Sequence, residues 1–193
     1  DIAPTAIHVA SVVEADFTSV YPDESINVLI PLLQTYKLIV VYDGDHNLIG
    51  QVSAGDLLKK CHPDNGIEDA IEKVITIEAD ERVVHLRRRM LDDRIVRFIV
   101  TDKGKYIGIV TETDVAIALR KFRESIRDQH QDHRIRNLLV RDIMSSPLIS
   151  VDLTANATEV IELMLKKNFS SIPVMSNGKP VGIITRRSLV NAL

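Results

Sequence analysis

Apolar and polar positions along the chain follow a pattern that occurs three times. Each occurrence opens with a short extended step, Ser19-Val20, Thr76-Ile77 or Ser150-Val151. It runs on into a segment with apolar residues at helical spacing: Ile26, Leu29 and Leu33, then Val83, Leu86 and Met90, then Ala157, Val160, Ile161 and Met164. Two short apolar runs follow, joined by a polar turn rich in Gly, Asn and Asp: "KLIVVYDGDHNLIGQV", "VRFIVTDKGKYIGIV" and "SSIPVMSNGKPVGII". That is a hairpin pattern. A second helical stretch closes each copy, "DLLKKC", "DVAIALRKF" and "SLVNAL". The predicted unit is β-α-β-β-α.

Gly50, Gly108 and Gly182 mark equivalent points, 58 and 74 residues apart. Self-similarity of this kind signals one supersecondary unit used repeatedly. A single unit has an apolar sheet face that its two helices cover incompletely, so the units are expected to pair through their sheets. The expected organisation is α/β, with unit 1 over 1–62, unit 2 over 63–120, a helical linker over 121–137 and unit 3 over 138–193. The linker, within "KFRESIRDQHQDHRIRNLLVRD", has neither Pro nor Gly, which favours a helix continuing from Ala118.

Two local features qualify the pattern. Pro31 falls inside the first helix of copy one and is expected to bend or end it. Asn156 with Glu159 three residues on suggests an N-terminal capping box in copy three.

Composition narrows the functional classes. Lys and Arg number 24 against 27 Asp and Glu, so no basic excess exists to hold a nucleic-acid backbone. The single cysteine, Cys61, rules out an internal disulfide. No apolar run reaches the roughly 18 to 20 residues that span a bilayer, and no membrane insertion and a cytoplasmic location are expected. His130 and His133, with Asp128 and Asp132, share a short stretch but offer no clear third and fourth ligand, so no metal is expected. No nucleophile–base pair, Gly-rich Lys loop or carboxylate pair is recognisable. The chain is expected not to be an enzyme and to require no cofactor.

Chemistry concentrates where the last strand of each copy meets its last helix. "GIVTETD" places Thr111 and Asp114 about one helical turn apart, where free backbone N–H groups and side-chain oxygens gather. A carboxylate there has two acceptor oxygens, suited to two neighbouring hydroxyls. The same residues also make an ordinary helix cap. Both readings stand at this point. Copy one has Ser53 and Asp56, whereas copy three has Thr185 but Ser188 in the place of the carboxylate.

These repeats, and above all "RDIMSSPLISVDLTANATEVIELMLKKNFSSIPVMSNGKPVGIITRRSL", resemble cystathionine-β-synthase (CBS) domains. The resemblance implies tandem units that pair through their sheets into Bateman-type modules, with adenosine compounds held in the clefts. It assigns the ribose to Thr111 and Asp114, to Ser53 and Asp56, and weakly to Thr185. It assigns the adenine slot to Thr76, Ile77 and Phe98 in copy two and to Ser19, Val20 and Ile39 in copy one. Arg97, and Lys37 near the corresponding point of copy one, would meet phosphate. The implied function is a regulatory module that senses AMP, ADP, ATP or S-adenosylmethionine and modulates a partner such as an enzyme or transporter. The alternative is a protein-interaction or structural module without a nucleotide. About ten residues join copies one and two, so these are expected to close on each other. Copy three is then left to pair across a homodimer axis near Leu138–Ile143 and Ile172–Val174, or with a fourth unit beyond Leu193.

Overall fold

The computed structural model describes residues 8–11, 13, 15–64, 66–125 and 136–193. Asp128, His130, Asp132, His133 and most of the expected linker lie outside the described residues. Copy one comprises β1 (Thr18–Val20), α1 (Ile26–Thr35), β2 (Ile39–Tyr42), β3 (Leu48–Val52) and α2 (Ala54–Leu58). Copy two comprises β4 (Ile71–Glu72), β5 (Ile75–Glu78), α3 (Val83–Asp93), β6 (Arg97–Asp102), β7 (Lys105–Thr111) and α4 (Glu112–Ser125). Copy three follows with α5 (Val140–Ile143), β8 (Val151–Asp152), α6 (Ala157–Lys167), β9 (Ser171–Ser176), β10 (Lys179–Thr185) and α7 (Arg186–Asn191).

In every copy the first strand runs parallel to the second across a helix, β1 with β2, β5 with β6 and β8 with β9. The hairpin partner then adds on, giving the sheet orders β1-β2-β3, β5-β6-β7 and β4-β10-β9-β8. The β-α-β-β-α unit is thus present three times. Register aligns the copies residue by residue: Thr18 pairs with Ile39 as Ile75 pairs with Phe98. Lys37 therefore corresponds to Val96, and Leu38 is the counterpart of Arg97.

Local chemistry explains the helix ends, with two corrections. Pro31 neither ends nor divides α1, which continues to Thr35 with the proline on its exposed side. Asn156 caps α6 as expected, but its Oδ1 accepts from Thr158 N–H at 2.8 Å, and Glu159 takes no part. The core of copy two joins Ile77, Val100 and Val110 from the sheet to Leu86 and Met90 of α3 and Val115 of α4.

The chain forms two compact units, one containing Asn156–Ser170 and Thr185–Leu193 together with the residues up to Ala70, the other Ile71–Ala155 with Ser171–Ile184. In the first, α1 and α2 pack on α7, and Gln34 Nε2 donates to Arg187 O at 3.3 Å. In the second, the segment ahead of each copy's first strand, its leader, lies on a different copy. The leader of copy three docks on copy two: Val83 N–H donates to Leu138 O and Val140 N–H to Glu81 O. Ser145 then exchanges both backbone hydrogen bonds with Ile109, at 2.9 and 3.0 Å. Arg141 fastens the join through Asp80, Nε to Oδ1 at 2.8 Å. The leader of copy two answers on copy three, where β4 pairs antiparallel with β10 through Glu72 and Ile183.

The expected closure of copies one and two, with copy three left open, is therefore corrected. The connection after copy one becomes a strand on copy three's sheet edge rather than a slack tether. Ile172 and Val174 of copy three are buried within the chain, as is Val140 from the stretch expected at a dimer axis. Copy one instead carries the exposed apolar strand, with Leu48 and Ile49 63% and 59% exposed.

Candidate functional site

At the junction of β7 and α4, Thr111 and Asp114 close on each other. Asp114 Oδ2 accepts from Thr111 N–H at 2.8 Å and from its hydroxyl at 3.1 Å, while Asp114 N–H donates to Thr111 Oγ1 at 3.3 Å. The capping arrangement is formed, and it uses one carboxylate oxygen. No hydrogen bond to Oδ1 is present among the described residues, so capping and ligand holding are compatible here.

Copy one repeats this geometry with Ser53 and Asp56, whose Oδ2 accepts from Ser53 N–H at 2.9 Å and Oγ at 2.8 Å. Lys59 Nζ adds a contact to Asp56 Oδ1 at 3.4 Å. In copy three Ser188 Oγ takes the carboxylate's place, accepting from Thr185 N–H at 2.9 Å and donating to Thr185 O at 3.0 Å. Both residues are buried. The junction thus forms a cap without a carboxylate.

The Ser53 backbone N–H, followed by its hydroxyl, holds the Asp56 carboxyl below its ordinary value. A depressed folded value means that the unfolded chain takes up this proton first as pH falls. The stabilisation from Asp56 is thus complete above the ordinary carboxylate value of about 3.9 and is lost as pH drops through the lower folded value. Urea melts at pH 5 and pH 3 are expected to show a smaller acid loss in Asp56→Asn than in the parent chain. Equal losses would remove Asp56 from the acid response.

Asp114 also faces a cavity of about 310 Å³. Helix α4 supplies Asp114, Ile117 and Lys121 to its wall, and the docked leader of copy three supplies Leu138, Asp142 and Ile143. Among the described residues two carboxylates and one ammonium border this space, which is at the lower end of the size range of small-molecule sites. The arrangement suits a compact ligand with an apolar body and several donors.

The remaining expected site residues are distributed differently. Arg97 stands opposite Thr111 in the β6–β7 ladder, so the two share one end of the sheet. Phe98, Ile77, Ile39 and Val20 are buried in the sheets. Thr76 and Ser19 are exposed. Lys37 lines a different cavity of about 390 Å³ in copy one, with Asp16, Phe17, Thr35 and Leu38. None of Thr76, Ile77, Arg97 and Phe98 lines the Asp114 cavity. Sequence reasoning missed Leu138 and Asp142, which come from the leader of another copy. The available signal was Gly108, since a glycine inside a strand marks the close approach of another backbone.

Among the described residues no group of three or more His, Cys, Asp or Glu is placed to hold a metal ion, and no helix is long and apolar enough to cross a membrane. Comparison with protein families matches the CBS domain over residues 9–63, 67–121 and 140–193. Among curated proteins, MJ1404 of Methanocaldococcus jannaschii is 25% identical over 165 residues, covering 83% of this chain and 38% of its own length. The chain thus spans well under half of that relative. Among solved structures, MJ1225 of the same organism, a proposed archaeal homologue of g-AMPK, superposes with a TM-score of 0.66 at 22% identity, covering 89% of this chain and 65% of that one. The CBS domain pair of protein MJ0100, in complex with 5-methylthioadenosine and S-adenosyl-L-methionine, gives a TM-score of 0.51 at 20% identity over 64% of this chain and 95% of that one.

Proposed function

Since the chain belongs to the CBS-domain family through three copies, we propose that it is a regulatory module that binds an adenosyl ligand beside Asp114 and modulates a partner through that occupancy. The observation that carries the reading is the cavity shared by α4 and the copy-three leader, with Asp114 in its wall. Ribose hydroxyls are donors of the kind that oxygen accepts, and Ile117, Leu138 and Ile143 offer a base an apolar wall.

The charge of the wall refines the ligand class. Among the described residues Asp114 and Asp142 outnumber Lys121, which disfavours a polyphosphate and favours a neutral or cationic adenosyl compound, such as a thioether nucleoside or a sulfonium. Bound ligand touches both α4 and the leader, so it stabilises the docked leader over any undocked arrangement. A difference in affinity between two arrangements is what a signal requires. The partner, an enzyme or transporter, would read the leader's position.

Calorimetric titration with adenosine, methylthioadenosine, S-adenosylmethionine, AMP and ATP tests this directly. Uncharged or cationic compounds are expected to bind more tightly than ATP. Asp114→Ala is expected to weaken them by about 1.5 to 3 kcal/mol, the usual loss for hydrogen bonds to a charged group, along with about 1 kcal/mol of helix capping. Absence of heat with every compound would favour the interaction module without a nucleotide.

A further inference from the structure

Arg186 follows Thr185, the hydroxyl residue that caps α7. The same place is held by Glu112 in copy two, after Thr111, and by Ala54 in copy one, after Ser53. In copies two and three the backbone here ties the strand–helix junction to the turn that leads into the second strand. Glu112 N–H donates to Val96 O at 2.9 Å, and Arg186 N–H to Ser170 O at 3.4 Å. Copy three adds the side chain. Arg186 Nε donates to Phe169 O at 3.0 Å and Nη2 to Asn168 Oδ1 at 3.2 Å.

The guanidinium thus spans from the start of α7 to the end of α6, a planar fork meeting two acceptors. Asn168 is the residue that ends α6, with φ 55°. On its other side the fork meets copy one: Nη1 lies 2.9 Å from the point where a Cβ would stand on Gly55, a buried residue of α2, and Cδ and Cζ lie 3.6 Å from it. Glycine there lets α2 lie against the guanidinium. The corresponding turn of copy one is different. Thr35, Lys37 and Leu38 border an open cavity of about 390 Å³, and the Ala54 methyl has no donor to send across. Glu112 of copy two carries an acceptor, which offers a carbonyl nothing at neutral pH. Copy three is therefore altered twice at one junction, with Ser188 in the place of a carboxylate and a guanidinium gained at 186.

We propose that Arg186 is the resident occupant of copy three: its guanidinium closes the gap between the α6–β9 turn and the β10–α7 junction, keeps external ligands out of that copy and gives copy one a fixed surface to pack on. Phe169 O and Asn168 Oδ1 are the acceptors an incoming donor would need, and a donor on the same chain competes at a far higher effective concentration than a free one. A copy closed in this way does not change with ligand concentration, so the response is confined to copies one and two. That confinement rests on the proposed ligand reading; the closure does not.

Arg186→Ala is expected to lower the melting temperature by about 3 to 6 °C, for the loss of hydrogen bonds made by a charged group. It leaves a gap that a free guanidinium fits. About 30 mM methylguanidinium chloride is expected to return about 2 °C of that loss beyond the effect of equal sodium chloride, and to give the parent chain no such gain. Arg186→Lys keeps the measurement available should the alanine variant fail to fold: an ammonium lacks the fork, and this variant is expected to melt at least about 2 °C below the parent. Losses below about 1 °C in both variants, or equal effects of the two salts on Arg186→Ala, would overturn the closure. Ligand exclusion is read with methylthioadenosine, which is expected to show an added binding event in Arg186→Ala/Ser188→Asp and none in Ser188→Asp. An added event with Arg186 in place, or in neither variant, would overturn the exclusion. A parent chain that binds no adenosyl compound removes the ligand reading instead, and the guanidinium result is judged without it.

Discussion

Gly182→Val is expected to destabilise the chain by about 3 kcal/mol or more, beyond the usual range for overpacking because backbone rather than a flexible side chain stands in the way. The new Cβ would meet Glu72 O and the Ile71 side chain, both on β4. Neither moves without breaking the β4–β10 ladder, in which Glu72 pairs with Ile183 and Ile71 with Ile184. For a chain of this size the loss corresponds to a fall in melting temperature of roughly 6 to 12 °C. The internal control is Gly50→Val, which enters open space and should lie within about 0.5 kcal/mol of the parent. Similar melting temperatures for the two variants would mean that β4 is not seated on β10 in solution.

Phe98→Ala is expected to cost about 3 to 5 kcal/mol, as large-to-small changes at fully buried aromatic positions do. Phe98 is 0% exposed at the centre of the copy-two core, and the Arg89 guanidinium lies 5.1 Å from its ring centroid. Removing the ring opens a cavity between β6 and α3 and withdraws the face on which Arg89 rests. The same variant separates two roles for the residue. A core role predicts lower stability in urea melts with unchanged ligand affinity in the folded fraction. A ring that stacked on a base would lose affinity under conditions where the fold is retained.

Much of the architecture is legible in the sequence because it rests on local periodicity. Alternation and helical spacing place the strands and helices of the β-α-β-β-α unit in each copy, though not β4 or α5, and the recurring glycine and hydroxyl residues set the copies in register. Thr111–Asp114 and Ser53–Asp56 were identifiable as caps or ligand groups because a helix start needs oxygen acceptors within one turn, and the structure shows those caps formed. Lys37 was expected near the point that corresponds to Arg97, and the strand register, with Ile39 in the place of Phe98, puts it one residue before that point.

What the sequence determined by itself was thus the repeating unit, its order of elements and the side chains at each junction, all matters of neighbours along the chain. The tertiary structure alone decided which units exchange leaders, that Leu138 and Asp142 stand across from Asp114, and which apolar edge stays open. Gly50 and Gly182 occupy equivalent points of equivalent strands, yet one faces open space and the other the backbone of β4. The difference lies in contacts between segments far apart in the chain, where pairing depends on which edge a leader can reach. No local pattern of polar and apolar residues encodes that choice.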